Sequence, residues 1–150
     1  MAPMDIALAE ADAAREVGEV PVGAVLVAPD GAVLARAHNR VVADADPTAH
    51  AELLVLRRAA AARGEPRLPD CDLYVTLEPC AMCAAAISFA RVRRVFFGAY
   101  DPKGGGVEHG ARVFDRPTCH HRPEVIGGVR ERDCAVRLRD FFAGRRGSAR

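Results

Sequence analysis

Thr48-Ala49-His50-Ala51-Glu52 and Glu78-Pro79-Cys80-Ala81-Met82-Cys83 are the two stretches from which the rest of the chain is read. Together they offer one imidazole, two thiols and a carboxylate two residues past the imidazole. One nitrogen and two sulfurs, with no fourth protein ligand, is the donor set of a catalytic zinc site that keeps one position open for water. Glu52 can reach that position without being a ligand itself. Each piece alone is ambiguous. A lone Cys-x-x-Cys also serves redox pairs and zinc ribbons, but a redox pair leaves His50 and Glu52 unexplained. A ribbon needs a second Cys pair at similar spacing, which the chain lacks.

The local pattern puts both ligand sets at helix starts. Thr48 is a plausible N-cap for a helix over Ala49–Arg63 that Gly64 ends. Asp72–Leu77, with Tyr, Val and Thr, reads as a strand, and Glu78-Pro79 breaks it before a helix over Cys80–Ala90. Cys80 and Cys83, three apart, then share one face of a first turn, where a thiol is easier to ionise. Upstream, Met4, Ala7, Leu8, Ala11, Ala14 and Val17 recur at helical spacing, and Gly18 follows. Val22–Ala28 and Ala32–Ala37 flank Asp30-Gly31 as a hairpin. Downstream, Arg94–Gly98 and Val125-Ile126 read as strands, and residues 112–117 are ambiguous between a short helix and an extended piece. Glu131–Arg146 reads as a helix with Cys134, Leu138, Phe141 and Phe142 on one side. The segment Asp101–Gly110, with Gly104-Gly105-Gly106, is expected to be a flexible loop. Alternating strands and helices predict a layered α/β domain, with its ligand in a crevice at the strand ends.

Composition narrows the class. The chain has 150 residues, enough for one domain with a full core, and 50% of them are hydrophobic, which excludes an extended disordered chain. Aromatics are 5% and Trp is absent, so Ala, Val and Leu must fill the core. A net charge of +1 gives no global argument for nucleic acid, although Lys103 is the only lysine and nearly all positive charge is guanidinium. No apolar run approaches the roughly 18 residues of a membrane span and no secretory signal is visible, so a reducing cytoplasm is expected. Cys119, His120 and His121 stand side by side, but neighbours in sequence rarely point at a common centre.

The order H-x-E followed by P-C-x-x-C matches the signature of zinc deaminases. Five segments extend the match: Glu19-Val20-Pro21-Val22-Gly23-Ala24-Val25, His38-Asn39-Arg40, Asp46 to Glu52, Leu73 to Cys83, and Phe97 to Lys103. In these and in the register between them the chain, from about residue 4 to residue 146, resembles the bacterial tRNA adenosine deaminases of the cytidine deaminase-like superfamily. The run from Gly104 to Gly110 and the segment Thr118-Cys119-His120-His121 match the family pattern less closely.

The resemblance implies a single domain over residues 1–150 with a three-layer α/β/α, five-stranded mixed-sheet fold. It implies a homodimer whose subunits jointly hold a tRNA anticodon stem-loop, and conversion of adenosine to inosine at the first anticodon position of an arginine tRNA. By position, His50, Cys80 and Cys83 would bind one zinc ion per subunit, and Glu52 would move protons as base and then acid. Asn39 would hydrogen-bond the flipped base, and Val20, Pro21, Ala49 and Leu77 would help to form its pocket. Independently of the family, the Arg-rich tail offers Arg139, Phe141, Phe142, Arg145 and Arg146 as candidate phosphate and base contacts. The alternative reading is a deaminase of a free base or nucleoside, such as guanine or cytosine, on the same scaffold.

Overall fold

A computed structural model describes residues 1–145. In chain order the elements are α1 (Pro3–Glu16), β1 (Gly23–Val27), β2 (Val33–His38), α2 (Ala51–Arg63), β3 (Asp72–Leu77), α3 (Ala81–Ala90), β4 (Arg94–Ala99), β5 (Glu124–Ile126) and α4 (Glu131–Gly144), with a 3-10 turn at Val113–Asp115. The strands form one sheet in the order β2-β1-β3-β4-β5. β1 runs antiparallel to both β2 and β3, whereas β3, β4 and β5 are parallel. The result is a mixed five-stranded sheet between two helical layers.

The layers follow from the two-residue period of a strand, which sends alternate side chains to opposite faces. Ala24 and Leu26 of β1 enter the core shared with α2 and α3, while Val25 and Val27 pack with α1 and α4. All five residues of β1 are buried, so this strand reads as a continuous apolar run. With few aromatics available, the layers close by near approach of small groups. A Cβ on Gly23 would stand 2.0 Å from the carbonyl oxygen of Ala7, so only glycine lets α1 lie this close to β1. Phe97 is the bulkiest of the fully buried side chains and belongs to the α2/α3 core.

Three features differ from the sequence expectation. Thr48 does not cap α2; its hydroxyl and N–H both bind the carboxylate of Asp46, and His50 becomes the N-cap residue. The Asp101–Gly110 segment is not a loose loop, because backbone N–H groups along it are held by the side chain of Glu78. α4 ends at Gly144, and Arg146 lies outside the described residues. No helix among the described residues is long and apolar enough to cross a membrane.

At the opposite end of β3 from Leu77, the side chain of Asp72 is only 7% exposed and receives two guanidinium forks, from Arg93 and Arg94, at 2.7–3.1 Å. Burial pushes this carboxyl up, but the two arginines outweigh it and hold the group below its usual range. A folded-state pKa below the unfolded value stabilises the fold above about pH 4, and that contribution fades as pH falls through the folded value. Asp72→Asn is expected to lower unfolding stability by about 1–3 kcal/mol at pH 7. The gap between variant and parent, read from urea midpoints, should narrow towards pH 3; an undiminished gap there would contradict the clamp.

Candidate active site

The starts of α2 and α3 face one another at the end of β3. His50 and Cys80 are both N-cap residues with extended backbone, and neither side chain caps its own helix. For α2 the cap is supplied from outside: Asn39 Oδ1 accepts the Ala51 N–H at 2.8 Å, taking one of the donors a helix start leaves unpaired. That releases the imidazole of His50 to turn towards the thiols. Its Nδ1 lies 3.5 Å from Cys80 Sγ and 3.6 Å from Cys83 Sγ, and all three donor atoms lie within 4.8 Å of one another. Tetrahedral zinc, with bonds of about 2.0–2.1 Å to nitrogen and about 2.3 Å to sulfur, places a nitrogen and a sulfur donor roughly 3.5–3.6 Å apart. The three residues therefore fit a zinc ion. Among the described residues no other group of three comes together in this way.

Electrostatics sort the thiols. A hydrogen bond from the Cys83 thiol, opposed by burial and reinforced by His50, draws Cys80 down to about 4. The same bond and its own burial push Cys83 up. His50 is raised by its hydrogen bond to Cys80, against burial. Glu52, in the first turn of α2, is 4% exposed, and burial lifts its carboxyl to about 7. A carboxyl poised near neutrality can hold a proton and release it again.

These groups open into a cavity of about 820 Å³. Asn39, Val20 and Leu77 line it, as does Phe142. Asn39 has its oxygen engaged by Ala51, and its amide nitrogen has no protein partner among the described residues. Other expected contacts fall elsewhere. Pro21 and Ala49 are buried and do not line the cavity. Phe141 is packed rather than presented at the surface: it is 7% exposed, with its ring plane at 77° to that of Phe142 and the Arg145 guanidinium 4.4 Å from its ring centroid. Arg145 also donates to the Gly18 carbonyl, so it ties α4 to the turn after α1. Arg139 is exposed on α4. Cys119 and His121 bind Ser88 and the carbonyl of Val92 at the end of α3, and form no second metal site.

The cavity also has walls that sequence reasoning missed. Tyr100, Asp101 and Lys103 follow β4, and Leu138 comes from α4. The first three lie just past the carboxyl end of a parallel strand, where α/β sheets bind ligands, and that rule could have found them.

A mixed sheet that presents a His/Cys/Cys donor set and an unligated carboxylate at one cavity defines a zinc-dependent hydrolytic deaminase. Residues 2–99 match the family model for the cytidine and deoxycytidylate deaminase zinc-binding region. The chain is 59% identical over 143 residues to a tRNA-specific adenosine deaminase of Agrobacterium fabrum, covering 95% of this chain and 93% of that one. A solved structure from work on A-to-I editing by tRNA:A34 deaminases at the wobble position of transfer RNA superposes with a TM-score of 0.88 at 59% identity, over 91% of this chain and 98% of that one. A guanine deaminase from Bacillus subtilis superposes with a TM-score of 0.64 at 32% identity, over 99% and 94% of the two chains. The chain belongs to the tRNA-specific adenosine deaminase family.

Loss of one sulfur should be decisive for the metal. Cys83→Ser is expected to leave the fold intact and to bind zinc at least about tenfold more weakly, measured by competition with a chelator. Full zinc affinity in that variant would remove Cys83 from the donor set.

Proposed function

We propose that the protein converts adenosine to inosine at the wobble position of a tRNA, that of an arginine tRNA first, as a cytoplasmic homodimer of single-domain subunits. The observation that carries this reading is the near full-length 59% identity to a tRNA-specific adenosine deaminase, on a site whose donor geometry fits zinc. The surroundings of the cavity support a polynucleotide over a small ring. Lys103, Tyr100 and Phe142 stand at it, a cation and two partly exposed aromatic rings of the kind that hold phosphates and stack unpaired bases. An anticodon loop is single-stranded, so its target base can be turned out at low cost.

His50, Cys80 and Cys83 would hold the zinc, which when bound makes a water acidic near neutral pH. Glu52 then does the proton work. Its carboxylate would take one proton from the attacking water and pass it to a ring nitrogen of the purine as the oxygen adds to the amine-bearing carbon; as the C–N bond breaks it would carry the proton of the new hydroxyl to the amino group, which leaves as ammonia while the carbonyl of inosine forms. Burial suits it to this work, because it raises the carboxyl above its ordinary range, so the group can take up a proton and release it again. The amide nitrogen of Asn39, without a protein partner among the described residues, can donate to the base, and Val20 and Leu77 give the ring an apolar seat.

Two measurements bear on this. Glu52→Ala should keep one zinc per chain while kcat falls by about 10²–10⁴; surviving turnover would assign the proton transfer to another group. A parallel assay of an arginine-tRNA anticodon stem-loop, guanine, cytosine and free adenosine should give inosine from the stem-loop alone. Robust guanine turnover with an inert stem-loop would overturn the tRNA assignment in favour of a free-base deaminase.

A further inference from the structure

Glu78 directly precedes the Pro79-Cys80 turn, and its side chain is completely buried. Among the described residues it has no arginine or lysine partner. Five donors meet it instead. Oε1 accepts the Asp101 N–H at 3.1 Å and His109 Nδ1 at 2.8 Å. Oε2 accepts the N–H groups of Val107, Glu108 and His109 at 3.2, 2.9 and 3.1 Å. Three successive backbone N–H groups turned on one oxygen form a concavity for an anion, and here the chain fills it with its own carboxylate.

Backbone bonds close the join from both sides. The Glu78 N–H donates to Ala99, and the Gly106 N–H donates to Pro79, each at 2.8 Å. The close approach requires glycine: a Cβ on Gly105 would lie 2.4 Å from Glu78 Oε2, and one on Gly106 would lie 2.4 Å from the nitrogen of Ala81. The segment held in this way supplies Asp101, Lys103 and Gly104 to the cavity. The rings of Tyr100 and His109 also meet edge to face, their centroids 6.3 Å apart.

We propose that Glu78 is a positioning residue for the substrate, because its carboxylate locks the 101–110 wall to the very turn that carries Cys80. The wall that meets the RNA thus keeps a fixed place relative to the reacting centre, and binding need not order it. This rests on the reading of the cavity as the RNA site given above; the state of the clamp itself is measurable without RNA.

The test is Glu78→Gln, with His109→Ala as a second variant that leaves the metal turn untouched. Glutamine keeps one acceptor oxygen and turns an NH₂ on the remaining donors, so the nest loses part of its anchor. In Glu78→Gln, zinc should stay at one per chain and the amides of Val107 to His109 should exchange with solvent at least about tenfold faster. KM for the stem-loop should rise about tenfold while kcat stays within about threefold. His109→Ala, losing one donor of five, should move exchange and KM the same way by about threefold. It decides the matter alone if Glu78→Gln does not fold. Unchanged exchange and KM in either variant would overturn the proposal, as would a fall in kcat at constant KM. Faster exchange in a protein inert towards every stem-loop would support the clamp and remove the RNA reading instead.

Discussion

Two helix starts held against each other at the end of one strand are what the rest of this structure serves. A helix start is where backbone N–H groups lack partners and where thiolates and carboxylates are favoured. Placing His50 and Cys80 at two such starts, with Glu52 and Cys83 in the first turns that follow, gathers donors from residues far apart in sequence. The arrangement works only if His50 does not have to cap its own helix. Asn39 relieves it of that task, so one side chain both completes α2 and faces the cavity.

Keeping the two starts in register falls to a core of small groups. β1, buried along its whole length, gives alternate side chains to the two helical layers, and β3 pairs with β1 on one side and β4 on the other. Loops are then fixed from below by buried carboxylates. Glu78 holds the wall that follows β4. Glu19, only 2% exposed, accepts the N–H groups of Val42 and Ala43 in the segment leading to His50. Each sits just before a residue of the site or its cavity, Cys80 and Val20 respectively. Side-chain acceptors thus do for these loops what a ladder does for strands, and connecting segments gain the rigidity a binding surface needs.

Ligand chemistry is the part most legible in the sequence, because few residue types bind zinc and their spacing on a first turn is restrictive. His50, Cys80, Cys83 and Glu52 could be picked out before any fold was known, and the structure brings them together. The strands were legible from their apolar runs, within a residue or two of the observed ends. What escaped depended on partners distant in sequence. Thr48 has the composition of a cap, yet Asp46 competes for it. Three glycines in a row suggest slack, and only the buried Glu78 turns them into a fitted segment. Phe141 and Phe142 are adjacent on a helix, and nothing local tells which faces the core and which the cavity.

The account stands on the metal environment, and X-ray absorption at the zinc edge tests it most directly. It should show two sulfur neighbours near about 2.3 Å and one imidazole nitrogen near about 2.0–2.1 Å, completed by a single light atom that persists when Glu52 is replaced by Ala. A shell of three or four sulfurs, or loss of the light atom with Glu52, would contradict it.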